Sequence, residues 1–271
     1  MPKAENTIKT YHVGANQFEY WAASKYWRDK RFRGVRDYYR NELVEEFIRE
    51  LMNGRKATWT IRTYLHGIKF MAKEYGVNPP IEISEDLLPQ IKEKIPVWVT
   101  KEEVLILIDS LAHDKQYRAL IALLYDTAVR ISEALALNVE DVSFKENTIT
   151  LDRRKGSYVP YVIPFSDTTA FFLKEYMEEW GLKNGMPLFQ GKKSERLHEC
   201  VAIREIGMYG KIYLEKKITP HAFRHGRAIA LRQAGTDITE IADLLGHKRL
   251  ETTRRYARIT GTHLKKLPKA F

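Results

Sequence analysis

At 271 residues the chain is long enough for two domains of ordinary size, each burying its own core. Lysine and arginine number 45 against 35 acidic residues, and the resulting net charge of +10 suits a polyanionic partner better than a neutral ligand. A single cysteine, Cys200, excludes an internal disulfide; no metal-ligand spacing surrounds it, and it is expected to be an inert packing residue. The first residues carry no apolar signal-type core, and no run approaches the ~18 apolar residues of a membrane span, so a cytoplasmic protein without membrane contact is expected.

In chain order, residues 16–75 read as helices. Phe47, Ile48 and Leu51 recur at helical spacing in one segment, and Ile61, Leu65, Ile68, Phe70 and Met71 do so in the next. Asn53-Gly54 closes the first, and Thr58 suits the cap of the second. The run KYWRDKRFRGVRDYYR interleaves basic and aromatic residues. It suits either a solvated helix with a buried aromatic side or a surface that faces a nucleic-acid backbone. The proline-rich stretch GVNPPIEISEDLLPQIKEKIPVW breaks the helical period, which places an interdomain linker near residues 90–97. This divides the chain into a helical domain at 1–92 and a second domain at 97–271.

Beyond the linker, Thr100 followed by Glu103 forms a capping box that opens a helix. A helix over residues 116–125 leads into TAVRISEALAL, whose Ile131, Leu135 and Leu137 make an apolar stripe. The period then changes: NTITLDRRKGSYVPYVIPF alternates and is rich in Val, Ile, Thr and Tyr. A small hairpin or three-stranded sheet is expected there, with a turn at Lys155-Gly156-Ser157. Helices resume at SDTTAFFLKEYMEEW and are expected to continue to the end, giving a mainly α fold with a small β-sheet.

The chemistry concentrates in HAFRHGRAIALRQAGTDITEIADLLGHKRLETTRRY. Thr219, Pro220 and His221 read as N-cap, N1 and N2 of a helix. That sets His221 and Arg224 one turn apart on one face, beside a helix N-terminus that favours phosphate. Gly246 suits the left-handed residue that ends the next helix and projects His247 from a turn. A further helix, ETTRRYAR, would deliver Tyr256. Two imidazoles, a guanidinium and a phenol at these spacings suit a phosphodiester gripped from several sides and attacked by the tyrosine. A tyrosine hydroxyl titrates near pH ~10, so its attack needs fixed cations around the phosphate.

With Arg130 in AVRISEAL, this set resembles the catalytic signature of the tyrosine recombinases, the phage-integrase and Xer family. Arg130 matches the family's first arginine with its following carboxylate Glu133, HAFRH matches its His-x-x-Arg box, LLGH its second histidine, and Tyr256 its nucleophile. The similarity spans about residues 97–260, with a weaker likeness of the N-terminal part to the family's core-binding domain. Ala128 stands where the family often has glycine, and the hairpin is about one residue longer than usual. Lys155 fits the family's β-turn lysine.

The resemblance implies that Arg130 and Arg224 fork onto the non-bridging oxygens. A lysine, whose pKa can fall in such a site, is a better acid for the departing 5′ oxygen than Arg154, which favours Lys155. His221 and His247 would donate hydrogen bonds or move a proton near the tyrosine, while Glu133 orients a helix or an arginine. Tyr209 and Tyr213 are expected in packing or phosphate contacts, and His225 as a structural neighbour. The product implied is a 3′-phosphotyrosyl linkage and a free 5′ hydroxyl, which conserves the phosphodiester energy without ATP. No cofactor and no metal is expected, since neither a Walker loop nor an acidic metal cluster is present. The partners implied are double-stranded DNA, held in a clamp of both domains, and three further copies in a homotetramer on paired sites. The tail after Tyr256, with Leu264, Leu267 and Phe271, would serve that assembly. A type IB topoisomerase and a catalytically silent DNA-binding protein remain the alternatives.

Overall fold

The structure is a computed structural model that describes residues 5–91, 96–151, 160–191 and 195–246. The turn expected at Lys155, His247, the helix expected to carry Tyr256 and the sequence beyond it lie outside the described residues. The chain divides into two compact units, Met1–Lys94 and Ile95–Phe271.

The first unit is built from α1 (Glu5–Tyr26), α2 (Asn41–Asn53) and α3 (Thr58–Glu74). On α2 the buried residues Leu43, Val44, Phe47 and Ile48 fall on one face, and on α3 Ile61, Leu65, Ile68 and Ala72 do the same, so both helices bury a stripe. Phe18 of α1 fills the centre, with ring centroids of Tyr39 and Phe47 at 5.3 and 5.5 Å. Polar tips on this aromatic cluster end on carboxylates: the Tyr39 hydroxyl donates to Glu19 at 2.5 Å and Trp21 Nε1 to Glu50 at 2.9 Å. Ile81, Ile83 and Leu88 are buried in the same core, so much of the proline-rich stretch belongs to this unit.

Three readings change here. α1 begins at Glu5, well ahead of residue 16. The cap of α3 is Ala57, not Thr58, which is the first helical residue. The basic-aromatic run is not one helix: α1 ends at Tyr26, and only a short 3-10 turn, Val35–Tyr38, follows before α2.

The second unit contains α4 (Lys101–Ser110), α5 (Lys115–Thr127), α6 (Ile131–Ala136), β1 (Val142–Ser143), β2 (Thr148–Leu151), β3 (Tyr161–Pro164), α7 (Asp167–Glu179), α8 (Glu199–Leu214), α9 (Pro220–Gln233) and α10 (Ile238–Leu245). The expected capping box opens α4: Thr100 Oγ1 accepts from Glu103 N at 3.2 Å, and Glu103 Oε2 accepts from Thr100 N at 2.8 Å. α5 is the central helix. Residues 119–125 are all buried, as a helix surrounded by α4, α7 and α9 requires. The three strands form an antiparallel sheet in the order β1-β2-β3, with Ile149 opposite Ile163 and Leu151 opposite Tyr161.

Helices do not continue unbroken after α7. Between α7 and α8 the chain makes short bridges, Asn138 with Pro187 and Gln190 with Arg196, and inserts Leu188 and Phe189 into the core. Arg196 from this segment donates to the carbonyls of Leu135 and Leu137 at 2.6 and 2.9 Å, satisfying the end of α6. Cys200, expected as a packing residue, is exposed on the first turn of α8.

Candidate active site

The site is assembled where three chain reversals meet. The first is the end of α5. Ala128 ends this helix in the left-handed region, with φ at 52°, and is fully buried. A left-handed alanine explains why a glycine would serve at this place. The reversal turns the chain into Arg130, the N-cap residue of α6. The Glu133 carboxylate accepts there from Arg130 N at 2.8 Å and from Arg130 Nη1 at 2.7 Å. One carboxylate thereby caps α6 and fixes the arginine, whose side chain stays 39% exposed.

The second reversal is the entry to α9. Thr219 occupies the N-cap position and Pro220 the first helical position, as the spacing predicts. The Thr219 side chain makes no cap hydrogen bond; its carbonyl accepts from Ala222 N at 2.8 Å instead. α9 seats against the segment before α4 at Gly226. A Cβ added there would lie 1.9 Å from the Val99 carbonyl oxygen, so only glycine permits this approach. One turn earlier, Val99 N donates to Ala222 O at 3.2 Å.

That seat places Arg224 inside the unit, 4% exposed. Its Nη1 donates to the carbonyl of Ala128 and its Nη2 to the carbonyl of Leu245. These two partners are neutral dipoles, so they orient the guanidinium plane while contributing no counter-charge. Arg224 thus joins the reversal that carries Arg130 to the third reversal, the end of α10. There Gly246 adopts the left-handed conformation expected of it, with φ at 58°. α10 begins at a capping box of Asp237 and Glu240.

His221 lies on the same face of α9 as Arg224 and is exposed. Its pKa is held below the ordinary histidine value, first by desolvation from the surrounding protein and then by the positive charges of Arg224 and Arg130, with Glu199 opposing. The neutral imidazole is therefore favoured near neutral pH, able to donate from one nitrogen and accept at the other. His225 lies one turn on, its ring centroid 6.3 Å from that of His221.

Of the six residues expected to form the site, the structure brings Arg130, His221 and Arg224 together, and Lys155, His247 and Tyr256 lie outside the described residues. Tyr209 proves to be a packing residue: it is buried against Tyr117 and donates to Asp114 at 2.7 Å, and burial raises its pKa. Two residues that the motifs do not single out link the elements that carry these side chains. Asp126, just before the first reversal, accepts from Ser166 N at 2.6 Å and Thr169 Oγ1 at 2.9 Å and lies 3.7 Å from Arg227 of α9. Tyr161 of β3 donates to the carbonyl of Asp243 in α10. These contacts are all between residues at least 40 positions apart, which sequence spacing does not reveal. Among the described residues no group of His, Cys, Asp or Glu could hold a metal ion, and no helix is long and apolar enough to cross a membrane.

Comparison with known proteins agrees with this geometry. Residues 97–263 match the phage integrase family. The chain is 30% identical over 267 residues to the tyrosine recombinase XerA of Pyrococcus furiosus, covering 97% of this chain and 87% of that protein. It is also 30% identical to the tyrosine recombinase XerC of Rickettsia prowazekii, covering 87% of this chain and 85% of that one. Among solved structures, a XerA recombinase superposes over 98% of this chain and 94% of its own, with a TM-score of 0.58 at 22% identity. The XerH recombinase bound to its difH substrate before cleavage does so over 97% and 79%, with a TM-score of 0.70 at 19% identity. With its fold and the Arg130–His221–Arg224 cluster in place, the chain belongs to the phage integrase family of tyrosine recombinases.

Proposed function

We propose that the chain is a site-specific DNA recombinase that cleaves and rejoins double-stranded DNA through a 3′-phosphotyrosyl intermediate. The hydroxyl oxygen of Tyr256 attacks the phosphorus, the P–O5′ bond breaks, and the departing 5′ oxygen takes a proton from Lys155. Arg130 and Arg224 hold the non-bridging oxygens as negative charge develops. His221 and His247 donate hydrogen bonds or take the proton of the tyrosine. Rejoining reverses the sequence with a different 5′ hydroxyl, so the phosphodiester energy is conserved in the protein–DNA bond.

The observation that carries this reading is the fixed guanidinium of Arg224, buried and oriented by two carbonyls beside Arg130 and the depressed His221. A surface arginine that only anchors a phosphate has no need of such a frame. The match to XerA and XerC favours a recombinase over a type IB topoisomerase. We assign residues 1–92 to DNA binding and 97–271 to catalysis, with both contacting the duplex. We further place the enzyme in the cytoplasm, as a homotetramer on paired sites, assembled through the tail with Leu264, Leu267 and Phe271. Its biological role is either resolution of dimeric circular replicons, chromosome dimers among them, or integration of a mobile element.

The test is a pool of nicked suicide duplexes with randomised arms, in which the fragment between nick and scissile phosphate diffuses away and traps the cleaved state. The full chain should become covalently attached to a subset of the pool, and sequencing should return a common site. Binding without any adduct would favour the silent DNA-binding reading, and nicking-rejoining of supercoiled DNA without sequence preference would favour the topoisomerase.

A further inference from the structure

The end of α10 is held by two side chains from elsewhere in the second unit. Arg224 of α9 donates to the carbonyl of Leu245, and Tyr161 of β3 donates to the carbonyl of Asp243. Only the first is part of the recognised chemistry. Tyr161 forms the last registered rung of the β2–β3 pair, opposite Leu151, and the chain between these two residues contains Lys155. On the other side, Asp243 lies four residues before His247 in the sequence, and the left-handed Gly246 ends α10. The phenol hydroxyl therefore joins the strand residue that follows the lysine connection to the end of the helix that precedes His247 in the sequence. Within the sheet, Ile149 faces Ile163, and just beyond β3 Phe165 N donates to Asn147 O at 2.8 Å.

We propose that Tyr161 is a positioning residue that ties the β2–β3 connection bearing Lys155 to the C-terminal end of α10 ahead of His247. The inference rests on the reading of Lys155 as the acid for the departing 5′ oxygen. A general acid must lie within hydrogen-bond reach of the atom that it protonates, and a displacement of about 1 Å at such a group can cost up to ~10²-fold in rate. A sheet of three short strands has little rigidity of its own, so a hydrogen bond from its last rung to a helix end sets where the connection begins.

Tyr161→Phe removes the hydroxyl and leaves the ring. With the duplex recovered from the suicide-substrate pool, this variant should cleave about tenfold more slowly than the unaltered chain, the rate equivalent of roughly one hydrogen bond. On the same duplex with sulfur at the 5′ bridging position, whose thiolate leaves without a proton, the deficit should vanish. Lys155→Ala should be rescued by the same sulfur, and adding Tyr161→Phe to Lys155→Ala should slow the oxygen duplex no further. Equal slowing on both duplexes, additivity with Lys155→Ala, or no slowing at all would overturn the proposal. Failure of sulfur to rescue Lys155→Ala would instead remove the lysine assignment. The tether is then judged without DNA: in Tyr161→Phe, amide exchange should quicken together at residues 161–163 and 244–246 while α5 is unchanged. Unaltered exchange at either end would refute the tether itself.

Discussion

Arg224 in the second unit and the arginines that follow α1 in the first are held in different ways. In the second, Arg224 is 4% exposed and lies between the carbonyls of Ala128 and Leu245, which fix its plane. In the first, the arginines that follow α1 are on the surface. Arg28 lies 4.4 Å over the exposed Trp27, Arg31 pairs with Asp29 at 2.6 Å, and Arg40 lies 5.3 Å over Phe32. A guanidinium framed by backbone dipoles cannot follow a phosphate that moves, whereas one resting on a ring at the surface can. The first arrangement suits charge that must develop at one fixed point, and the second suits phosphates met wherever a duplex presents them.

The largest effect that separates the two is expected at Arg224. Arg224→Ala should lower the cleavage rate by ~10²–10³ while changing duplex affinity far less, since the loss falls on the transition state. It should also lower stability by about 1–3 kcal/mol in urea unfolding, because it leaves the buried carbonyls of Ala128 and Leu245 without this partner. Arg224→Lys keeps the charge but not the fork and should recover little. Equal losses in affinity and rate would erase the distinction between the two arginine classes.

A test of the frame rather than the arginine comes next. Gly226→Ala puts a Cβ 1.9 Å from a backbone oxygen of the Val99 segment, and that segment is held to α9 by the Val99–Ala222 hydrogen bond. Overpacking of this kind should cost about 1–3 kcal/mol. A urea midpoint equal to that of the unaltered chain would show that α9 does not depend on this seat.

At the surface arginines the effects are smaller and of another kind. Arg28→Gln and Arg31→Gln should each reduce the slope of log affinity against log salt by up to ~0.9 and leave the cleavage rate of bound duplex unchanged. A change in that rate would assign catalysis to the first unit.

The smallest effect is a titration. Because desolvation and the charges of Arg224 and Arg130 depress His221, its midpoint by nuclear magnetic resonance should lie below 6.5, and Arg130→Gln should move it upward. The sign for stability follows. The unfolded chain binds this proton more readily than the folded one, so the contribution is fully present above about pH 6.5 and is lost as pH falls through the lower, folded value. A midpoint above 6.5 would contradict the electrostatics of the site.

Where a feature depends on neighbours in sequence, it was legible before the structure. Arg130 with Glu133, Thr100 with Glu103, the proline after Thr219 and the left-handed Gly246 each depend on spacings of one to three residues, which backbone geometry fixes. The alternation of NTITL likewise announces a strand. What the spacing could not reveal is carried by long-range contacts. Arg224 finds Ala128 across 96 positions, Tyr161 finds Asp243 across 82, and Arg196 ends α6 from a segment without helical period. Cys200 misled because its residue type favours burial, while its place on the first turn of α8 faces solvent. Thr58 misled because a threonine suits both the cap and the first turn, and here the chain enters α3 one residue earlier.

The most direct measurement of the central claim is the site of covalent attachment. Full-length protein trapped on a suicide duplex is digested with protease and nuclease, and the modified peptide is identified by mass spectrometry. The account predicts a nucleotide joined through a 3′-phosphate to Tyr256 and no adduct from Tyr256→Phe, whose affinity for the duplex stays near that of the unaltered chain. A nucleotide on any other residue, or an adduct formed by Tyr256→Phe, would contradict it.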